Sequence, residues 1–369
     1  MTRVTVRSQA LREAAERLSQ GAEAVRGEAA SLASSATRCP GLAPDVRARL
    51  GWLAGPAGLW GEGLALDVLA TRLRAAAAGY EEVERAVAAV LRAVGAAADA
   101  GGRVGVLDDG ALPPVVDEVE PRWRASPLDG PADLVALGRD LDEGRVRVVE
   151  VEAPAGGSAW VVVVPGTQEW SPVPGANPFD LTSDVRAVTG DATVAAAGVA
   201  VALERAKARA GRGGARGARD PVLLVGHSQG GIHAAALAAD PGFRGRHHVT
   251  HVLTSGAPVA LFPIPREVHV LSVERASDPV PTLDLTPNPA HGTWRTVRVG
   301  TGPATDTGSH ALGRYAASVR AAQEAPFGSV PELMTWQVGA AAFLHRPVRS
   351  VTEAEVRRVR PSAPRMGRM

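Results

Sequence analysis

Cysteine is nearly absent from this chain. Cys39 is the only one, which excludes an intramolecular disulfide and a cysteine-built metal cluster. Lysine is equally scarce: Lys207 stands alone among 40 basic residues, and the rest are arginine. Together with heavy use of Ala, Gly and Val this reads as coding bias, so the arginines carry no functional inference. The net charge is +1, which gives no reason to expect a nucleic-acid partner. No apolar run approaches the roughly 18 residues of a membrane span, so none is expected. The first residues, MTRVTVRSQALREAAERL, lack an apolar segment of the Sec type. The expected location is therefore cytoplasmic, or exported without such a signal. At 369 residues the chain is long enough for two domains, or for one large domain with an extension.

What is present centres on Pro221 to Asp240, PVLLVGHSQGGIHAAALAAD. An apolar β-branched run, Val222–Val225, leads into Gly226-His227-Ser228-Gln229-Gly230-Gly231, and a helical pattern of small residues follows at once. That predicts strand, tight turn and helix with Ser228 at the apex. Glycines at 226 and 230 permit close approach of strand and helix. The Gln229 N–H falls at a helix N-terminus, where the backbone dipole favours developing negative charge.

Here the sequence resembles the α/β-hydrolase superfamily in its lipase and esterase branch. The resemblance covers roughly Arg145 to Leu344. It implies an α/β fold, a mostly parallel sheet covered by helices on both faces, and Ser228 as nucleophile. AWVVVV at Ala159–Val164 reads as a central strand running into Pro165-Gly166-Thr167-Gln168. By resemblance Thr167 or Gln168 gives one oxyanion N–H and Gln229 the other. Trp170–Asp180, WSPVPGANPFD, partly resembles the segment after the oxyanion loop in fungal-type lipases, and is either a lid or surface packing. HVTHVLT at His248–Thr254 and EVHVLSVE at Glu267–Glu274 read as strands. Asp278, in the Pro-rigid turn after the second, resembles the triad acid, with Asp284 as runner-up. WRTVRV at Trp294–Val299 reads as the last strand. His310 beyond it is the expected base, in the order Ser228, Asp278, His310. Of the nine histidines, His291 is the competitor, although it precedes that strand. Tyr315 is expected as core or as packing against the site.

Such a triad implies an acyl-enzyme route for a small-molecule ester or lipid-like substrate, with no metal or organic cofactor. A thioesterase, amidase or acyltransferase uses the same residues. A reading of another class makes the protein an export-linked interaction module with a degenerate hydrolase domain. Its basis lies in residues 1–100, which read as a helical domain: one helix from Ser8 to about Ala36, a short one over Pro44–Leu53, and a long one over about Ala57–Ala98. Two long helices joined near Trp52 and Trp60 are similar to the helical hairpins of type VII secretion, and Tyr80 to Glu84 matches the Tyr-X-X-X-acid export signal of that family. A secretion partner follows from that resemblance; a packing domain with no export role is the alternative. Residues 101–144 read as linker and lead-in, with Asp108 to Pro131 irregular. Residues 145–346 form the hydrolase domain, and 347–369 a basic C-terminal tail, in which Arg357, Arg358 and Arg360 lead into a Pro-, Arg- and Met-rich disordered end.

Overall fold

The computed structural model describes residues 8–39, 41–71, 74, 108–170, 174–300 and 309–359. These fall into two units, one helical and one α/β. The helical unit holds α1 (Ser8–Arg38), α2 (Pro44–Ala54) and α3 (residues 59–71). Ala15, Ala22, Ala29 and Ala36 recur on one face of α1 and are buried. Small residues let α3 come close: a Cβ on Gly63 would lie 3.1 Å from the Ala22 carbonyl oxygen. Arg26 pairs with Asp67, and Arg74 Nη2 donates to Ser19 Oγ at 2.7 Å, so the two helices run antiparallel. Cys39 is exposed and unpaired. The expected boundary at Gly101-Gly102 and the candidate signal at Tyr80 and Glu84 lie outside the described residues. Among the described residues no helix is long and apolar enough to cross a membrane.

The second unit is built on eight strands. In chain order it comprises β1 (Ala111–Val119), α4 (Pro131–Ala136), β2 (Arg145–Glu152), β3 (Ser158–Val164), α5 (Leu181–Val188), α6 (Val194–Arg209), β4 (Pro221–His227), α7 (Gln229–Ala239), α8 (Pro241–Arg246), β5 (His248–Ser255), β6 (His269–Arg275), β7 (Trp294–Val299), α9 (Leu312–Gln323), α10 (Pro331–Gly339) and β8 (Val348–Val359). The sheet order is β1-β8-β2-β3-β4-β5-β6-β7. From β3 to β7 neighbouring strands are parallel, and the β1-β8-β2-β3 side is antiparallel.

Both faces are covered, which is why β3 is buried along its whole length. Trp160, Val162 and Leu224 pack with Val199 and Leu203 of α6 and Ala234 and Leu237 of α7. Val161, Val163, Leu223 and Val225 point to the other face and meet Leu134 of α4, Tyr315 and Val319 of α9, and Trp336 of α10. The carboxyl ends of β3 to β7 consequently open on one edge, and the loops leaving them share that edge.

Two expectations are corrected. Part of the stretch expected to be irregular is β1; Pro113 and Pro114 suggested a linker, but they sit on an edge strand, where a missing N–H costs no ladder bond. The segment expected as a C-terminal tail enters the sheet as β8, between β1 and β2; its Pro-, Arg- and Met-rich end, residues 360–369, lies outside the described residues. Its charges suggested solvent exposure. Inside the fold they are paired: Arg147 Nε of β2 donates to fully buried Glu353 at 2.8 Å, and Arg358 meets two aspartates.

The contact of α6 with β8 depends on the absence of a side chain. A methyl group on Gly198 would lie 2.1 Å from Val356 Cγ1. Gly198→Ala gains about 1 kcal/mol of helix propensity, whereas overpacking costs about 1–3 kcal/mol. The net expectation is a lower urea midpoint at unchanged m value. A midpoint equal to or above that of the parent chain contradicts the close packing of α6 on β8.

Candidate active site

The turn between β4 and α7 carries the strain that its sequence implies. Ser228 has φ 55° and ψ −128°, a left-handed conformation rare for a residue with a side chain. The neighbouring glycines make it possible. A Cβ at Gly226 would lie 2.1 Å from the Gly230 carbonyl, and one at Gly230 would lie 2.1 Å from the Val164 oxygen at the end of β3. The Ser228 N–H is held by the Ser255 carbonyl at 3.0 Å, which ties the turn to the end of β5.

Three side chains from three loops meet at this turn. His310 Nε2 lies 2.9 Å from Ser228 Oγ. His310 Nδ1 lies 2.8 Å from Asp278 Oδ2, leaving Nε2 as acceptor for the serine proton. Asp278 follows β6 and His310 precedes α9, so the parallel strands deliver all three groups to one edge. Burial pushes the Asp278 carboxyl up, but the donors from His310, Tyr315 and the Val280 N–H outweigh it and hold the group below its ordinary value. Asp278 is thus a carboxylate at neutral pH.

The chain between β3 and α5 abuts the serine. A Cβ on Gly166 would lie 3.5 Å from Ser228 Cβ. Among the described residues the N–H groups of Thr167 and Gln229 have no acceptor, and both belong to segments beside Ser228. Gln168 does not share that property. Its N–H donates to the Phe179 carbonyl at 2.8 Å, so its backbone is engaged in holding the loop. Its side chain does the same, with Gly144 N donating to Oε1 at 2.7 Å and Nε2 donating to the Leu141 carbonyl at 2.6 Å. Of the two alternatives, Thr167 is the one left free. Thr167 Oγ1 donates to Asp184 Oδ2 at 3.0 Å, and burial pushes the Asp184 carboxyl up to about 8 despite that donor.

The other candidates are placed elsewhere. Asp284 accepts the Ala260 N–H at 2.8 Å and joins two loops instead of meeting His310. His291 sits before β7, at the amino end of the parallel strands, with Nδ1 3.1 Å from Thr293 Oγ1. Between Trp170 and Asp180, Phe179 and Asp180 are fully buried, while Trp170 is exposed; the Asp180 end is packed into the fold and does not form a lid. Residues 171–173 lie outside the described residues.

Tyr315 does more than pack against the site. It is wholly buried, yet its hydroxyl donates to Asp278 Oδ2 at 2.6 Å and accepts the Arg275 N–H at 3.2 Å. Its position a turn and a half beyond His310 was the available signal. His227 also joins the cluster, its ring centroid 4.8 Å from that of His310 and 5.3 Å from that of Tyr315. Nδ1–H of His227 donates to the Ser255 carbonyl at 2.9 Å. Among the described residues no group of three or more His, Cys, Asp or Glu is placed to hold a metal ion.

No family model, curated protein or solved structure matches this chain. What the site can do is therefore carried by its own geometry: an alcohol aimed at an imidazole, an imidazole aimed at a carboxylate, and, among the described residues, two N–H groups without an acceptor in the segments that adjoin the serine.

The same helix gives a pH dependence. His233 on α7 is fully buried and, among the described residues, neither ring nitrogen has a hydrogen-bond partner; burial pushes it down to about 4. Burial likewise pushes His227 down to about 4. From the ordinary value of about 6.5 down to about 4, the unfolded chain binds protons on these rings that the folded chain does not. Stability therefore falls as pH drops through that window. Urea midpoints measured from pH 7 to pH 4 should decline, and His233→Leu should decline less steeply. An equal slope in the variant contradicts a neutral, buried His233.

Proposed function

We propose that this protein is a serine hydrolase of the α/β-hydrolase fold that cleaves carboxylic esters through an acyl-enzyme. The observation that carries the reading is the continuous chain of hydrogen bonds Ser228 Oγ–His310 Nε2–Asp278 Oδ2, at 2.9 and 2.8 Å. The strained serine between β4 and α7, the loop after the adjacent parallel strand β3, and the acid and base on loops after β6 and β7 support the fold assignment.

In this reading the Ser228 oxygen attacks the ester carbonyl while His310 Nε2 takes its proton. Asp278 keeps the imidazole in the Nδ1–H tautomer and stabilises the imidazolium that forms. The carbonyl oxygen becomes an oxyanion and is received by the N–H groups of Gln229 and Thr167. Each such donor lowers the barrier by about 3 kcal/mol, and the N-terminus of α7 adds a favourable dipole. His310 then hands the proton to the departing alcohol. Water, deprotonated by the same imidazole, attacks the acyl carbon, and His310 returns that proton to Ser228 Oγ as the serine–acyl bond breaks and the acid leaves. Tyr315 donates to the carboxylate throughout and stays outside the proton path.

Labelling with a fluorophosphonate, located by peptide mass mapping, tests the reading directly: Ser228 should carry the label and Ser228→Ala should carry none. Hydrolysis of short p-nitrophenyl esters should fall by about 10⁴–10⁶-fold in Ser228→Ala and in His310→Ala. The corresponding thioesters and anilides, assayed alongside, rank the acyl chemistries that this triad serves. A label on another residue, or esters hydrolysed equally by Ser228→Ala, overturns the assignment.

A further inference from the structure

Arg358 lies 130 positions beyond the nucleophile, in a segment that carries no motif, yet it is among the most heavily bonded side chains in the fold. Its guanidinium is almost wholly buried. Nε donates to Asp109 Oδ1 at 2.8 Å and to the Asp109 carbonyl at 3.1 Å. Nη2 donates to Asp109 Oδ1 at 2.6 Å, to Asp180 Oδ1 at 2.9 Å and to Ser183 Oγ at 3.3 Å. Nη1 reaches Asp180 Oδ2 at 2.6 Å and the carbonyls of Asn177 at 2.8 Å and Gly175 at 3.2 Å. The Arg358 N–H itself donates to the Ala176 carbonyl at 2.8 Å. Burial alone would lower this guanidinium, and the two carboxylates more than compensate, so the group is a permanent cation gripping residues 175–183.

That segment in turn holds both oxyanion candidates. The Phe179 carbonyl accepts the N–H groups of Gln168 and Glu169, at 2.8 and 3.2 Å, and so sets the backbone just after Thr167. Asn177 Nδ2 donates to Gln168 Oε1 at 2.7 Å. The Asp180 carboxylate caps α5 by accepting the Ser183 N–H at 3.0 Å, and α5 carries the Asp184 that receives Thr167 Oγ1. On the other side, Gln229 Nε2 donates to the Asp180 carbonyl at 2.8 Å. One residue, Asp180, thus faces Arg358 through its side chain and Gln229 through its backbone.

The geometry points to Arg358 as a positioning residue for the oxyanion site: from β8 it fixes residues 175–183, and through them it sets the placement of the Thr167 and Gln229 N–H groups. The inference rests on the hydrolase reading for its catalytic consequence. Its structural content, that the placement of both N–H groups depends on Arg358, does not need turnover.

Three measurements test it. Arg358→Lys keeps the buried positive charge opposite Asp109 and Asp180 but cannot reproduce the planar fork. It should lower kcat on a p-nitrophenyl ester by about tenfold or more at a KM changed less than about twofold, the signature of an interaction made in the transition state. Affinity for a trifluoromethyl ketone, which forms an oxyanion on the serine, should fall by the same factor as kcat. Gln229→Met cuts only the last link, to the Asp180 carbonyl, and leaves the ion cluster whole. It should lower kcat and ketone affinity in parallel with little change in melting temperature. Hydrogen exchange should quicken at residues 165–170 and 226–232 in Arg358→Lys. A lysine variant that loses stability while kcat, ketone affinity and exchange at those residues stay at parental values overturns the inference, and so does a Gln229→Met variant with parental kcat and ketone affinity. A parent chain that neither hydrolyses esters nor binds the ketone sinks the hydrolase reading alone; exchange then decides the role of Arg358.

Discussion

The structure depends on the close approach of three pieces of backbone at the end of β4. Gly226 lies against Gly230, and Gly230 lies against the end of β3, with no room for a Cβ at either position. This contact forces the chain through the left-handed conformation at Ser228, a strain on the order of 1–3 kcal/mol that the surrounding sheet and helix absorb. In return the serine oxygen faces His310, the next N–H starts a helix, and the loop after β3 runs beside the serine, where a Cβ on Gly166 would touch Ser228.

Around the turn, buried polar groups are satisfied in layers. Asp278 receives donors from His310, Tyr315 and Val280 N–H, so the carboxylate is fixed before it orients the imidazole. Asp109, Asp180 and Arg358 form a separate buried group of two carboxylates on one guanidinium. Removing one partner from such a group leaves a charge without compensation, at a cost of about 3–5 kcal/mol. The two layers play different parts. The first fixes the carboxylate that faces His310, and the second grips residues 175–183, where the Phe179 carbonyl accepts the Gln168 N–H.

Much of the candidate site is readable locally. Gly-X-Ser-X-Gly after VLLV needs only its own glycines and the helix behind it, and Asp278 and His310 are recognisable as polar residues just past strand ends. Choosing between His310 and His291 required only chain order. Choosing between Thr167 and Gln168 required hydrogen bonds to Phe179, Gly144 and Leu141, which spacing does not reveal. The edge strand β1 was hidden by its prolines and β8 by its charges, because a segment rich in Pro or in Glu and Arg reads as solvent-exposed unless its partners are known. Those partners, Arg147, Asp109 and Asp180, lie far away along the chain.

The sequence by itself determined the elements whose information is short-range: the strand–turn–helix at Ser228, the apolar strands covered on both faces, and the helices of residues 8–71. Only the tertiary structure decided which N–H groups are unpaired among the described residues, that Tyr315 donates to Asp278, and that Val348–Val359 is a strand of the sheet with Arg358 paired to Asp109 and Asp180. The physical reason is that strand propensity and turn chemistry act between neighbours in sequence. Whether a buried charge is tolerated depends on what the fold brings against it from elsewhere in the chain.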